Sequence, residues 1–165
     1  MKMNSLRIVA AGAFIVLVAA AIGLLLLTRN SARVVAITDG DTIKVLRDGK
    51  QETIRLHGVD CPEGGQPFGT RAKQFTSSLA FGKRVKVIVR DRDRYGRTVA
   101  EVVLPNGRSL NRELVRSGLA WHFKRYSDDP VLAQLETQAR AARLGLWADQ
   151  DPIPPWDWRH NGRPR

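Results

Sequence analysis

The 165-residue sequence contains very few residues that could cross-link the chain or bind a soft metal. Cys61 is the single cysteine, which excludes an intramolecular disulfide and any CxxC metal or redox site. The three histidines, His57, His122 and His160, are widely separated and show no HExxH or other zinc spacing. Any metal that this chain binds must therefore be held by oxygen atoms.

Acidic residues are outnumbered by basic ones, 16 to 27, which gives a formal net charge of +11. Three basic residues precede residue 33, so residues 33–165 hold 24 basic and 16 acidic side chains, a net charge of +8. Such a field attracts polyanions, with nucleic acid first and anionic membrane second, although a basic surface can also serve solubility alone. The length suits one domain with a core that needs no disulfide.

Residues 8–27 form a continuous apolar run of about the length that a membrane-spanning helix needs. A cleaved signal peptide has a shorter apolar stretch and an A-x-A-like site, whereas Asn30 lies three positions before a cut after Ala32. Residues 1–32 therefore predict an uncleaved signal anchor in preference to a cleaved signal peptide. The flanking basic residues favour a domain outside the cytosol, at the cell membrane, or secreted or periplasmic if the segment is cleaved.

Two acidic clusters, Asp39-Gly40-Asp41-Thr42 and Asp60-Cys61-Pro62-Glu63, stand on either side of a predicted hairpin. Its strands cover residues 41–47 and 51–59, which alternate apolar and polar side chains around a turn at Asp48-Gly49-Lys50. The hairpin would bring both clusters to the same end. Carboxylates gathered there on a basic protein indicate a cation that works beside phosphate-binding arginines.

The register of this hairpin follows from where its turn is centred. A turn centred on Gly49 places Asp41 opposite His57 and points Arg55 to the same face as Asp41. A slip of one residue would undo that placement.

The rest of the chain alternates strand and helix patterns. Strands are predicted at residues 33–38, 51–59, 84–90 and 98–104, and residues 41–47 are predicted to continue the first strand beyond a bend at Gly40. Helices are predicted from residue 68 to near Gly82, at 111–117 and at 130–144. This is an α+β, mainly β pattern, typical of a five-stranded OB-fold barrel with about three packed helices after one N-terminal membrane or signal helix. The Pro- and Trp-rich residues 148–165 predict an extended tail whose tryptophans pack against the domain.

An ordered set of motifs resembles the thermonuclease family, the staphylococcal-nuclease-like domains. The set comprises Asp39-Gly40-Asp41-Thr42, Arg55, Asp60-Cys61-Pro62-Glu63, Tyr95-Gly96-Arg97 and residues 111–120, NRELVRSGLA. Each piece is common by itself, but their order and the intervening pattern are specific. The resemblance covers residues 33–147, which defines a domain between the segment 1–32 and the tail 148–165.

The resemblance implies a calcium site and a reacting centre. Asp41 and Asp60 correspond to the carboxylates that hold one calcium ion, with Asp39 as a supporting acid. Cys61 stands where the family commonly has Thr and contributes a backbone carbonyl, which any residue can supply. Glu63 corresponds to the residue that orients or deprotonates the attacking water.

The resemblance also implies groups that bind the substrate. Arg55 and Arg97 correspond to two arginines on the scissile phosphate, and planar guanidinium groups suit the charge that grows on phosphoryl oxygens. Arg94 and Tyr95 resemble a Lys-Tyr pair that contacts a nucleotide phosphate, with Arg replacing Lys. Tyr126 matches one of the tyrosines that pack near a base, while Lys124 replaces a second.

Three functions are compatible with the sequence. The leading hypothesis is a monomeric nuclease that hydrolyses phosphodiester bonds in DNA and RNA with one Ca²⁺ ion. A non-catalytic OB-fold module that binds nucleic acid at a membrane is the second, and a membrane-tethered structural protein that binds anionic lipid is the third. The alternative without a function for these residues is that Asp39 and Asp41 cap a turn and that Arg55 and Arg97 are solvated surface charges.

Overall fold

The computed structural model describes Val18 and residues 31–160 of the chain. Five strands close into a barrel in the order β1-β2-β3-β6-β5. They are β1 Ser31–Ile37, β2 Thr42–Arg47, β3 Lys50–Leu56, β5 Arg84–Arg92 and β6 Thr98–Val103. A separate pair joins β4 Val59–Asp60 to β7 Trp121–His122. The prediction of a five-stranded barrel is confirmed.

The predicted membrane or signal segment, residues 1–32, lies almost wholly outside the described residues. Within the part that the structure describes, no helix has the length and apolar character needed to cross a membrane. The anchor therefore stays a prediction from the sequence.

Alternate residues of the strands fill the barrel. The inward side chains of the first three strands, among them Val34, Ile43, Val45 and Ile54, are fully buried. Register shifts in β1, between Val34 and Ala36, and in β5 mark bulges, which increase strand curvature and so help a five-stranded sheet to close. Because inward and outward positions alternate, Arg55 on β3 lies on the outside of the barrel.

One strand prediction is wrong. Residues 41–47 are not a continuation of the first strand, because β1 and β2 pair antiparallel, with Val34 opposite Val45 and Ile37 opposite Ile43. Residues 38–41 reverse the chain instead of bending it. Period-two alternation looks the same on both sides of a bend and of a reversal, so the pattern alone could not separate the two.

The register of the β2–β3 hairpin also differs from the prediction by one residue. Asp48 and Gly49 both have positive φ, 49° and 75°, so the loop has two residues and pairs Arg47 with Lys50. Positive φ at both central positions is the geometry of the tight Asp-Gly hairpin turn. Thr42, not residue 43, therefore lies opposite Arg55, and Asp41 does not face His57.

Four α-helices and one 3₁₀ helix are present in the described part of the chain. They are α1 Gly69–Ala80, α2 Leu110–Arg116, α3 Pro130–Ala141, the 3₁₀ helix Gly145–Ala148, and α4 Pro155–His160. The first three confirm the predicted helices, and Asp129 caps α3 by accepting from the Val131 N–H at 2.8 Å.

The prediction of an extended tail at residues 148–165 is wrong at Pro155–His160, which form a helix, while residues 161–165 lie outside the described part of the chain. α4 folds beside a second small core that contains Trp121, Leu146 and Trp147, against which Trp156 packs. The expected contact of the tail with the domain is therefore present at Trp156. The local pattern did not predict a helix because six residues are too few to show a period.

A buried asparagine ties α2 to the barrel. The Asn111 side-chain amide donates to the carbonyls of His57 and Ala100 at 2.9 and 3.3 Å, and its oxygen accepts from the Val102 N–H at 3.0 Å. Asn111 is 3% exposed, so water cannot replace these bonds. One side chain thereby links the end of β3 with β6 and α2.

Asn111→Ala should destabilise the folded chain because the buried Val102 N–H loses its acceptor. We expect a loss of about 2–3 kcal/mol in the free energy of unfolding, measured by urea denaturation. The matched control is Asn106→Ala, since Asn106 accepts from the Arg108 N–H in an exposed turn. Equal losses for both variants would contradict this account.

Candidate active site

The turn that joins β1 to β2 positions the first carboxylate. Gly40 is buried in this turn, where a Cβ would lie 2.7 Å from the Cys61 Cβ and 2.8 Å from the Ala72 Cβ. The Thr76 hydroxyl of α1 donates to the Gly40 carbonyl at 2.5 Å, and Asp39 Oδ1 accepts from the Asp41 N–H at 3.2 Å. Helix α1 and Asp39 together hold Asp41 in place, and the role of Asp39 as a supporting acid near a metal stays a prediction.

The second carboxylate, Asp60, comes from β4. Its strand separates from β3 at Gly58, which has φ of 72°, and pairs Asp60 with Trp121 of β7. The next residue, Cys61, donates its backbone N–H to Asp41 Oδ2 at 2.6 Å. The two acidic segments are therefore adjacent, although 19 positions separate their carboxylates in the sequence.

Arg55 joins the two carboxylates. Its guanidinium forms an ion pair with Asp41 and donates from Nη2 to Asp60 Oδ1 at 2.5 Å. Asp41 is 3% exposed and Asp60 0%, so their charges require a cation nearby. The expected proximity of Arg55 and Asp41 is present despite the wrong register, because Asp41 lies in the turn, where strand alternation no longer directs its side chain.

A fourth charged group, Arg159 of α4, was missed by sequence reasoning. Its Nη2 donates to Asp60 Oδ2 at 2.8 Å and its Nη1 to Glu63 Oε1 at 2.6 Å, with a longer bond of 3.3 Å to Asp60 Oδ1. Partial burial opposes its charge, but the hydrogen bonds to Asp60 and Glu63 raise the pKa of Arg159 above its ordinary value. The one sequence signal for this helix is Pro155, because proline is common at the first position of a helix.

Glu63 lies at the rim of the site. Its side chain is 39% exposed and contacts Arg159, while its backbone N–H donates to Gln66 Oε1 at 3.1 Å. The Gln66 amide in turn donates to the carbonyl of Ile153 at 2.6 Å. The loop that carries Glu63 is therefore tied to the segment that precedes α4.

Arg97 directly precedes β6, the strand that pairs with the one carrying Arg55. β3 and β6 pair in parallel, with Arg55 next to Val99, so Arg97 lies two residues before that pair, roughly 7 Å along the strand direction. In the described residues its ion-pair partner is Asp93, whose Oδ2 accepts from Arg97 Nε at 2.6 Å. Slight burial opposes the charge of Asp93, but the bonds from Arg97 lower the pKa of Asp93.

The residues expected to contact a nucleotide are exposed. Tyr95 is 70% exposed, and its ring has the guanidinium carbons of Arg94 and Arg97 over it at 4.9 and 5.5 Å. Tyr126 is 62% exposed and meets Phe123 edge-on, with ring centroids 4.8 Å apart. Arg94 and Tyr95 thus share one turn with Arg97, whereas Tyr126 belongs to a separate aromatic group.

Cys61 is a buried thiol. Burial raises the pKa of the Cys61 thiol well above its ordinary value, an effect that the nearby Arg55 opposes. Burial thus disfavours the thiolate, which is the form of cysteine that acts as a nucleophile.

The donor set suits a hard cation. Among residues 31–160, no three His, Cys, Asp or Glu side chains form a group that could hold a metal by side chains alone. Asp41 and Asp60 nevertheless direct carboxylate oxygens at one shared positive charge, the Arg55 guanidinium. Together with the backbone carbonyl of Cys61, which the family resemblance implies, these two carboxylates would supply only oxygen ligands, the kind that calcium takes.

Comparison with known proteins identifies the family. Residues 53–149 match the family model described as staphylococcal nuclease homologue. An Escherichia coli O157:H7 protein named as an uncharacterized endonuclease is 46% identical over 128 residues, which cover 78% of this chain and 84% of that protein.

Two further relatives have similar coverage. A Haemophilus influenzae protein, also named as an uncharacterized endonuclease, is 43% identical over 79% of this chain and 74% of its own length. A Shigella flexneri protein named micrococcal nuclease is 40% identical over 76% of this chain and 78% of its own length. The resemblance in the motifs is thus confirmed across most of the chain, which belongs to the staphylococcal nuclease homologue family.

Proposed function

We propose that this chain is a nuclease that hydrolyses phosphodiester bonds in DNA and RNA with the help of one Ca²⁺ ion. One observation carries the proposal: Asp41 and Asp60 come from separate segments of the chain, are both buried, and both form ion pairs with the Arg55 guanidinium. Family membership supports nucleic-acid hydrolysis, and the names of the relatives agree with it. The net charge of the chain, +11, supports a polyanionic substrate.

In this proposal Asp41, Asp60 and the Cys61 carbonyl hold the ion. When bound, calcium would polarise a phosphoryl oxygen and neutralise charge that develops on it. Arg55 lies between the same carboxylates and presents a planar guanidinium beside them. It can therefore bind a phosphate oxygen while it compensates the buried acids.

Glu63 is the proposed proton acceptor for the attacking water. It is the most exposed of the three carboxylates at the site, which suits a group that must reach solvent-derived water. A carboxylate in this role typically contributes about 10²–10⁴-fold to the rate. Glu63 Oε1 can take part only when it is released from Arg159, because that oxygen already accepts from Arg159 Nη1.

Arg97 is the proposed second phosphate ligand. The parallel β3–β6 pairing, with Arg55 next to Val99, supports this role because it brings the segment that carries Arg97 alongside the strand of Arg55. Asp93 orients the Arg97 guanidinium from the same turn. Two guanidinium groups from different strands can contact different oxygens of one phosphate, which stabilises the transition state more than the ground state.

The cellular setting is also a proposal. The apolar run at residues 8–27 supports a membrane anchor that places a monomeric domain outside the cytosol, or a secreted or periplasmic enzyme if the run is removed. Residues 33–147 remain the proposed catalytic domain, with residues 148–165 as its C-terminal extension.

The first test measures cleavage of plasmid and single-stranded DNA by the full-length chain, with calcium and with a chelator. We expect cleavage to require calcium and Glu63→Gln to reduce kcat by about 10²-fold or more. The matched control is Glu52→Gln, since Glu52 forms a surface ion pair with Arg47 at 3.9 Å. Undiminished cleavage in chelator, or by Glu63→Gln, would contradict the proposal. DNA binding without cleavage under any metal would favour the non-catalytic binding module.

The second test concerns Arg97. Arg97→Ala should reduce kcat by about 10²-fold with little change in calcium affinity, because the side chain acts on the phosphate and not on the ion. Arg97→Lys should keep part of the rate, since it retains charge but loses the planar pair of donors. Arg90→Ala is the control, because Arg90 is exposed and pairs with Glu101 at 3.1 Å. A loss of calcium affinity equal to the loss of rate would refute this role.

A further inference from the structure

The C-terminal helix α4 brings a guanidinium into the acidic centre from outside the region that defines the family. The family match ends at residue 149, whereas Arg159 lies ten positions later. Its contacts are with Asp60 and Glu63, a proposed calcium ligand and the proposed proton acceptor. A contact with both groups at once bears directly on the reaction.

Arg159 uses the oxygens that a divalent cation would need. Both oxygens of Asp60 accept from its guanidinium, at 2.8 Å for Oδ2 and 3.3 Å for Oδ1, and Glu63 Oε1 accepts at 2.6 Å. Asp60 Oδ1 already accepts from Arg55. Charge-assisted bonds of this kind are strong, so a cation at Asp60 must displace them.

The helix is held in place by contacts separate from the arginine. The Trp156 ring is stacked on Phe123, with centroids 5.2 Å apart and 3° between planes, and meets Trp121 edge-on at 5.5 Å. Pro155 is buried, and the Gln66 amide bonds the carbonyl of Ile153. Because this anchor keeps Arg159 near Asp60, the guanidinium binds as a tethered group at high effective concentration.

Arg55 and Arg159 differ in how easily each can leave. The Arg55 side chain is 15% exposed on a barrel strand, whereas that of Arg159 is 40% exposed at the end of a six-residue helix. Release of Arg159 into water therefore costs less than release of Arg55. Arg55 is the lasting partner of the buried acids, and Arg159 is the exchangeable one.

We propose that Arg159 is a tethered competitor of the divalent cation, which occupies Asp60 and Glu63 until the cation displaces it. This inference rests on the proposed calcium site. The guanidinium satisfies the buried Asp60 charge while the ion is away and occupies Glu63 Oε1. Calcium binding and release of the proton acceptor thereby become one event, so the concentration of calcium sets the fraction of competent enzyme.

The test measures calcium affinity of the full-length chain by titration calorimetry. Arg159→Gln should bind Ca²⁺ about tenfold more tightly than the unmodified chain, since it removes the competing charge. Arg159→Lys should stay within about threefold of the unmodified chain, because it keeps a cation there. The control Arg108→Gln removes the same charge from an exposed arginine that pairs with Glu113 at 3.0 Å, and should leave the affinity unchanged.

A second variant tests the tether without altering the site. Trp156→Ala should weaken the anchor and raise calcium affinity about threefold, whereas Trp156→Phe should retain stacking and the original affinity. Thermal unfolding of each variant checks that the barrel is intact. Arg159→Gln should also cleave DNA faster than the unmodified chain at limiting calcium.

The outcomes separate this inference from the proposed function. If all variants bind calcium with equal affinity and cleave DNA, the competition is refuted and the proposed function stands. If Arg159→Gln binds calcium more weakly or has a lower kcat, Arg159 supports the reaction and the inference is equally refuted. If neither the unmodified chain nor any variant binds calcium, the calcium-dependent function fails and the competition fails with it.

Discussion

The burial of two carboxylates beside one guanidinium is the interaction on which the rest of this site depends. Asp41 and Asp60 are removed from water, and Arg55 compensates them from a neighbouring strand. Without a nearby cation, two buried carboxylates that share one partner would be strongly unfavourable. The same arrangement that is costly for stability is the one on which the proposed binding of a cation, and next to it a phosphate, rests.

The barrel supplies the rigidity that this arrangement needs. The Thr76 hydroxyl of α1 fixes the turn of Asp41 by donating to the Gly40 carbonyl, and the Cys61 N–H donates to the Asp41 carboxylate itself. Arg55 projects from a strand whose alternate side chains are locked in the core. A carboxylate pair on flexible loops would move apart by mutual repulsion, whereas here backbone bonds on both segments oppose that motion.

Much of the fold could be predicted from the sequence, because apolar residues recur every second position in a strand with one buried face and every three to four positions in such a helix. Three features did not follow. The reversal at residues 38–41 resembles a bend, the Asp48-Gly49 turn shifts the register by one, and α4 is too short to show a period. Arg55 and Asp41 are nevertheless close, as predicted. Asp41 lies in a turn, where strand alternation does not direct its side chain, so the error of one residue in the register did not affect this contact.

The sequence by itself determined which groups are available for chemistry: carboxylates with almost no sulfur or imidazole, a basic field, and acids and arginines in the order of one family. These properties are local, because they depend on which side chains exist and how far apart they lie in the chain. Tertiary structure alone decided that Arg159 shares Asp60 and Glu63 with that site. A contact across 99 positions is set by how aromatic rings pack α4 on the domain, and no local pattern encodes such packing.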